Sequence, residues 1–198
     1  NWLATAYPDL ESQLAAAGGP AGARAGTDAY KAAWTQVMGS ASGSAAQSEY
    51  AGIQYYLPGI RRIKNGTGLD LQLRSSTVNQ MGFSTSIQHG AGGASSVFRN
   101  ALETLGYPPN TPTATEPTDA ALIRAVYAQR RAGNGARYFP SSTQAVRNSV
   151  VNRFHNEEAD ALRSLEQEIA AAQANPPTAE PTDNSAATRS VTPTSNAQ

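Results

Sequence analysis

Along most of this chain apolar residues recur at the spacing of one helix face, and almost nowhere at the alternation of a strand. Behind Thr27, residues Tyr30, Trp34, Val37 and Met38 fall at i, i+4, i+7 and i+8, the repeat of an amphipathic helix. A second pattern covers 45–64, with Tyr50, Ile53, Leu57 and Ile60 on its stripe. Pro58 lies inside it and predicts a kink or split, because proline removes a donor and crowds the preceding turn. Positions 75–88 carry Val78, Met81, Phe83 and Ile87, and after a glycine-rich turn Val97, Phe98, Ala101, Leu102 and Leu105 mark another helix. Thr118 caps a helix bearing Leu122, Ile123, Val126 and Tyr127. The longest pattern, 142–174, places Val146, Val150, Phe154, Ala161, Leu165 and Ile169 on one stripe.

Between these segments the signals are weaker. Residues 1–26 are rich in Ala and Gly, with Asp9 as a cap for a short helix, ESQLAAA, and GPAGARAG as a flexible connector. GLDLQLR alternates apolar and polar residues, which predicts a short strand or an extended link. The 175–198 segment has one apolar side chain larger than Ala, Val191. It cannot bury enough surface to offset its ordering entropy, so it is expected to be disordered, or an extended arm held by a neighbouring chain. The expectation is an all-α fold of six or seven helices around one core. It divides into a connector at 1–26, a helical domain at 27–174 and a polar tail at 175–198.

Composition narrows the function classes. Fifteen basic residues balance fifteen acidic ones, which argues against electrostatic capture by nucleic acid or an anionic membrane. The absence of cysteine removes disulfides and thiolate sites. His89 and His155 match no metal-ligand spacing, so no metal and no cofactor are expected. No apolar run approaches the ~20 residues of a membrane span, so no membrane insertion is expected. The chain starts at Asn rather than Met, and its start reads as processed, trimmed or part of a longer protein.

Three features carry candidate chemistry. Gln88-His89-Gly90 stands where one amphipathic segment gives way to the next. Its histidine is either presented at a helix junction, or simply favours the negative end of the preceding helix while Gly90, Gly92 and Gly93 turn the corner. Glu157 and Glu158 fall at the two edges of the apolar face of the longest helix, about 20° and 120° round from Val146. Such a glutamate is a catalytic acid, or the partner of an arginine on a neighbouring helix. The tyrosines, Tyr55 and Tyr127 among them, suit a sugar-binding groove and equally the rim of a small core.

Several segments in order resemble one family. FSTSIQHGAGGASSVFRNAL is similar to its "WSTAVQHG…VINNAL" block. DAALIRAVYAQRRAGNGARYFPSSTQAVRNSVVNRFHNEEADAL is similar to its "D-x-x-LI-x-AIY-x-ER…YF-x-SS…V-x-x-RF-x-NE-x-x-DAL" block, and QSEYAGIQYYLPGI sits where it has "Q-x-x-FI-x-x-x-Y-x-P". The resemblance covers about 27–165. The family is the lysozyme-like, peptidoglycan-cleaving domain attached to phage tail and type VI secretion spike proteins, related to chitosanase-type glycoside hydrolases.

The resemblance implies a lysozyme-like helical fold in a phage virion or secreted injection particle, acting on peptidoglycan glycan strands in the periplasm or cell wall. It implies other virion or spike proteins as partners, reached through the 175–198 tail. It also places Gln88, His89, Tyr55 and Tyr127 near the sugar. The family's catalytic glutamate lies upstream of the similarity, in a block like "SYG-x-YQ-x-S" that these residues do not include. Gln129 stands where "IY-x-ER" has its glutamate, and Tyr55-Tyr56 also departs. Glycoside hydrolysis usually needs two carboxyl groups, which leaves three alternatives. A separate stretch supplies the active-site half, the domain is a catalytically inactive structural component, or Glu157 or Glu158 takes over.

Overall fold

The computed structural model describes residues 1–175, and all of its regular structure is helical, with no strand among the described residues. The 175–198 tail, for which disorder or an extended arm is expected, lies, Asn175 apart, outside the described residues. The helices are α1 (Trp2–Ala6), α2 (Pro8–Ala16), α3 (Gly19–Ala25), α4 (Asp28–Met38), α5 (Ala41–Ala51), α6 (Leu57–Thr67), α7 (Ser76–Thr104), α8 (Asp119–Arg130) and α9 (Gln144–Ala174). A π-helical turn, Gly52–Tyr56, joins α5 to α6 without a break, and a 3-10 turn, Leu71–Leu73, precedes α7.

Hydroxyl caps set most of the starts. Thr27, Ser40, Ser75, Thr118 and Thr143 each accept the N–H three residues on with their own side chain, which satisfies one of the donors a helix leaves free. The last cap moves the start of the longest helix to Gln144. The Pro58 expectation resolves as the π turn. Its wider register lets the Leu57 N–H reach the Gly52 carbonyl and leaves Pro58 in the first turn of α6, where the missing donor is harmless.

Four expectations need correction. GPAGARAG is not a connector but α3, started by Pro20 and bounded by Gly18 and Gly26, both at positive φ. The ESQLAAA helix begins earlier, at Pro8, with Tyr7 rather than Asp9 at its cap, and α1 stands before it. GLDLQLR forms no strand. Asp70 caps the 3-10 turn by accepting from Gln72 N at 3.1 Å, Leu69 and Leu71 are buried, and Leu73 points out. The glycine-rich corner is a single residue. Only Gly90 leaves helical geometry, at φ 68° and ψ 169°, and Gly92 and Gly93 continue the helix.

Two hydrophobic cores replace the single one expected. Leu10, Leu14, Val37, Met38 and Ala46 form the first, within α1–α5. The second gathers Ile63, Leu71, Val78, Phe98, Leu102, Ile123, Phe154 and Leu165 from α6 onward. In the second, α6 lies close on α7 because Gly59 faces Ser86; a Cβ at Gly59 would stand 2.0 Å from Ser86 Oγ. Tyr56 carries the π turn onto α7, with its ring edge-on to Phe83 and its hydroxyl donating to Asn79 Oδ1 at 3.0 Å. The buried Arg74 ties the start of α7 to α8. It donates from Nε to Asp119 Oδ1 at 2.7 Å and from Nη1 to Thr113 O at 3.0 Å, and it also reaches the Pro117 carbonyl. On α9 only the middle of the apolar stripe is covered. Phe154 and Leu165 are buried, while Val146 and Ile169 stay about half exposed.

Candidate functional site

A groove of about 400 Å³ runs between the first half of α7 and α9. The two helices are antiparallel, so Ser76 and Thr77 meet Glu168 at one end and Gln88 meets Arg153 at the other. Ser76, Gln80, Ser84 and Gln88 recur every four residues on α7. On α9, Glu157, Asp160, Ser164 and Glu168 recur at i, i+3, i+7 and i+11. Both rows are therefore single helix faces, and all of these residues except Gln88 line the groove, with Tyr127 of α8 behind them.

The electrostatic centre is Arg130. Its side chain is wholly buried, with the guanidinium carbon 4.0 Å from the Phe154 ring centroid and 4.9 Å from that of Tyr127. Its Nη1 lies 3.2 Å from Glu157 Oε2, yet neither atom makes an aligned hydrogen bond. Distance and alignment thus disagree, and the contact is an ion pair rather than a directed bond. Glu157 Oε1 also lies 3.2 Å from Arg153 Nε, and Arg153 Nη2 donates to Gln88 Oε1 at 2.5 Å. Burial pushes the Tyr127 hydroxyl up to about 12 despite Arg130 beside it, and burial also pulls the Arg130 guanidinium below its ordinary value.

At the other end Glu168 acts as a cap supplied by a different helix. Its Oε2 accepts from Ser76 N at 3.0 Å, and its Oε1 from Thr77 N and Ser76 Oγ, both at 2.8 Å; Thr77 Oγ1 donates to it as well. Burial alone would raise this carboxyl. The four hydrogen bonds and the positive end of α7 outweigh that and hold it below the usual value.

The sequence-derived site residues separate into three groups. Glu157 and Tyr127 line the groove, and Gln88 is linked to Glu157 through Arg153. Glu158 is not among the lining residues and pairs with Arg131 at 2.6 Å. His89 does not line the groove either. Its ring packs against Tyr138, Phe139 and Phe154, and burial, with Arg130 and Arg153 nearby, lowers it to about 4. It is therefore neutral at neutral pH, and the expected cation at a helix end is not formed. Tyr55 lies on the π turn, exposed and away from the groove lining. Gln129 reaches sideways to Thr104 Oγ1 at 3.1 Å.

Sequence reasoning passed over Asp160, Glu168, Arg130 and Arg153. The polar i, i+3, i+7, i+11 row on α9 was available as a signal, since it lies beside the apolar stripe at the same period. Nothing in the sequence marked Arg130 as buried.

No group of three or more His, Cys, Asp or Glu among the described residues is placed to hold a metal ion. No described helix is long and apolar enough to cross a membrane. Comparison with curated proteins and with solved structures finds no match in either set. A family model does match, that of the type VI secretion system spike protein VgrG3-like, C-terminal, over residues 12–158. The match runs from within α2 to Glu158 on α9 and takes in Tyr127, Arg130, Arg153 and Glu157. A match over that much of the sequence places the chain in the family of C-terminal regions of VgrG3-like type VI secretion spike proteins.

Proposed function

We propose that this chain is the cell-wall-directed part of a secretion spike, a lysozyme-like domain that holds and cleaves glycan strands of peptidoglycan along the α7–α9 groove. The observation that carries the reading is the pair of facing polar rows. Hydroxyls and an amide on α7 oppose carboxylates and a hydroxyl on α9, with Tyr127 behind. A polyhydroxylated strand needs a line of acceptors and donors of this kind, and about 400 Å³ suits one or two sugar units at a time. In this reading the spike particle delivers the domain to the periplasm, and other spike proteins are its partners.

The test is incubation of the purified chain with purified sacculi, followed by mass spectrometry of soluble fragments and sedimentation of the insoluble wall. Release of muropeptides, lost in Ser84→Trp, which fills the groove, is the expected result. No release and no co-sedimentation would remove the proposal.

A second reading, a wall-binding or structural spike part without cleavage, is favoured by the ion pairs. Both Glu157 and Glu158 are engaged by arginines. It predicts co-sedimentation with sacculi and no soluble fragments.

A further inference from the structure

Both tryptophans of the chain, Trp2 and Trp34, line one open cavity of about 510 Å³ between α1, α4, α5 and the π turn. Tyr50 joins them, its ring centroid 5.3 Å from that of Trp2 and tilted by 54°. Trp34 and Tyr50 are 44% and 42% exposed, so two large aromatic faces are left partly open around a concavity. Scattered exposed rings need no explanation, but aromatic side chains gathered on one concave surface mark a binding site.

The polar lining decides what fits. No Asp, Glu, Lys, Arg or His side chain lines the cavity, and its one charge, the α-amino group of Asn1, stands exposed, so a cation would find no counter-charge and an anion only one water-screened partner. Two side-chain amides, Gln47 and Gln54, stand in its wall. Gln47 donates from Nε2 to Met38 O at 2.8 Å and to Gly43 O at 3.2 Å, which pins that amide in place. A hydrocarbon ligand would cover the Gln47 Oε1 and the Gln54 amide without pairing them. A ring with a C–H face and a rim of hydroxyls matches both parts of the wall.

We propose that this cavity binds an uncharged pyranose unit of a glycan, its C–H face against Trp34 and Tyr50 and its hydroxyls on Gln47 and Gln54. The site is built on the α1–α5 core and the π turn that follows it, and that core shares no residue with the core beneath the α7–α9 groove. It is a second sugar site, and it stands whether or not the groove binds or cleaves anything.

Because no tryptophan lines the groove, indole fluorescence reports on this cavity alone. The full chain is titrated with N-acetylglucosamine tetrasaccharide while emission is followed, and the indole N–H signals of Trp2 and Trp34 are tracked by NMR. A saturable emission change, with both indole signals moving, is expected. Tyr50→Ala is expected to weaken the apparent affinity about tenfold or more. If circular dichroism shows that Tyr50→Ala has not folded, Gln54→Ala takes its place, with a severalfold loss expected. The proposal is overturned by no saturable change up to about 10 mM sugar, by unchanged affinity in a folded Tyr50→Ala or Gln54→Ala, or by free indole competing more tightly than the tetrasaccharide. Sacculus cleavage with no indole response rejects this site and leaves the groove reading intact. An indole response without soluble fragments supports this site and rejects cleavage in the groove.

Discussion

The Glu168 carboxylate accepts the backbone N–H of Thr77 at 2.8 Å, so the far half of α9 closes the first turn of α7. Helix starts are usually capped by a residue next to them in the chain. Here a carboxylate 91 residues away does so alongside the local cap Ser75. Glu168→Ala leaves the Ser76 and Thr77 donors to water and is expected to cost about 1–2 kcal/mol. The measurement is the urea midpoint of both proteins.

The same contact has a pH signature. The folded Glu168 pKa lies below its ordinary value of 4.5, so the contribution is fully present above that value. It is lost as pH falls through the folded pKa, because the unfolded chain takes up the proton first. The gap between wild type and Glu168→Ala is expected to be constant near neutrality and to shrink in acid below 4.5. A gap that widens on acidification would contradict the assignment.

His89 acts in the same direction over a different window. Its folded pKa is about 4 against an ordinary 6.5. Above 6.5 both states are neutral and no effect is expected. Between 6.5 and about 4 the unfolded chain binds the proton preferentially, so stability declines as the solution is acidified, and the decline levels off below about 4. Histidine NMR titration gives the folded pKa directly, and His89→Gln is expected to flatten that part of the stability profile.

Removing the Glu157 charge strands Arg130, whose side chain has no exposure. Breaking a buried pair from one side costs about 3–5 kcal/mol, and the part exposure of Glu157 brings the expected loss for Glu157→Ala to about 2–3 kcal/mol. Combining it with Arg130→Met is expected to recover part of that loss, since the stranded cation is gone. Thermal midpoints of the two variants decide the point.

Gly59→Ala tests the close approach of α6 and α7. Its Cβ would stand 2.0 Å from Ser86 Oγ and 2.6 Å from Ser86 Cβ, so overpacking of about 1–3 kcal/mol is expected. Ser86→Gly removes both atoms and leaves the Ser86 Cα 3.9 Å away. The double variant is therefore expected to be more stable than Gly59→Ala alone.

Helices with hydroxyl caps and a strong apolar period were legible in the sequence. Thr118 and the stripe around Leu122 and Val126 lie as the pattern required, as do Val78 and Phe98 on α7. Segments ruled by glycine and proline were not. Pro20 starts a helix where the composition suggested slack, and Gly92 stays helical while Gly90 alone does not. The choice depends on what packs against each residue, which periodicity does not carry. The site was half legible. Glu157 stood out because it sits at the edge of an apolar stripe, but its partners Arg130 and Arg153 are set by the packing of α8 on α9. Tyr55 lies on the π turn, outside the groove lining, and no sequence period announces the register of that turn.

Two cores with no residue in common among the described residues are expected to melt as two units. The amides of α1–α5 can open and exchange with solvent while those around Phe98 and Phe154 remain protected. Among the described residues, the uninterrupted rod from α5 through the π turn into α6 is the stretch of backbone that joins the two units, so its stiffness decides how far the opening of one is felt by the other.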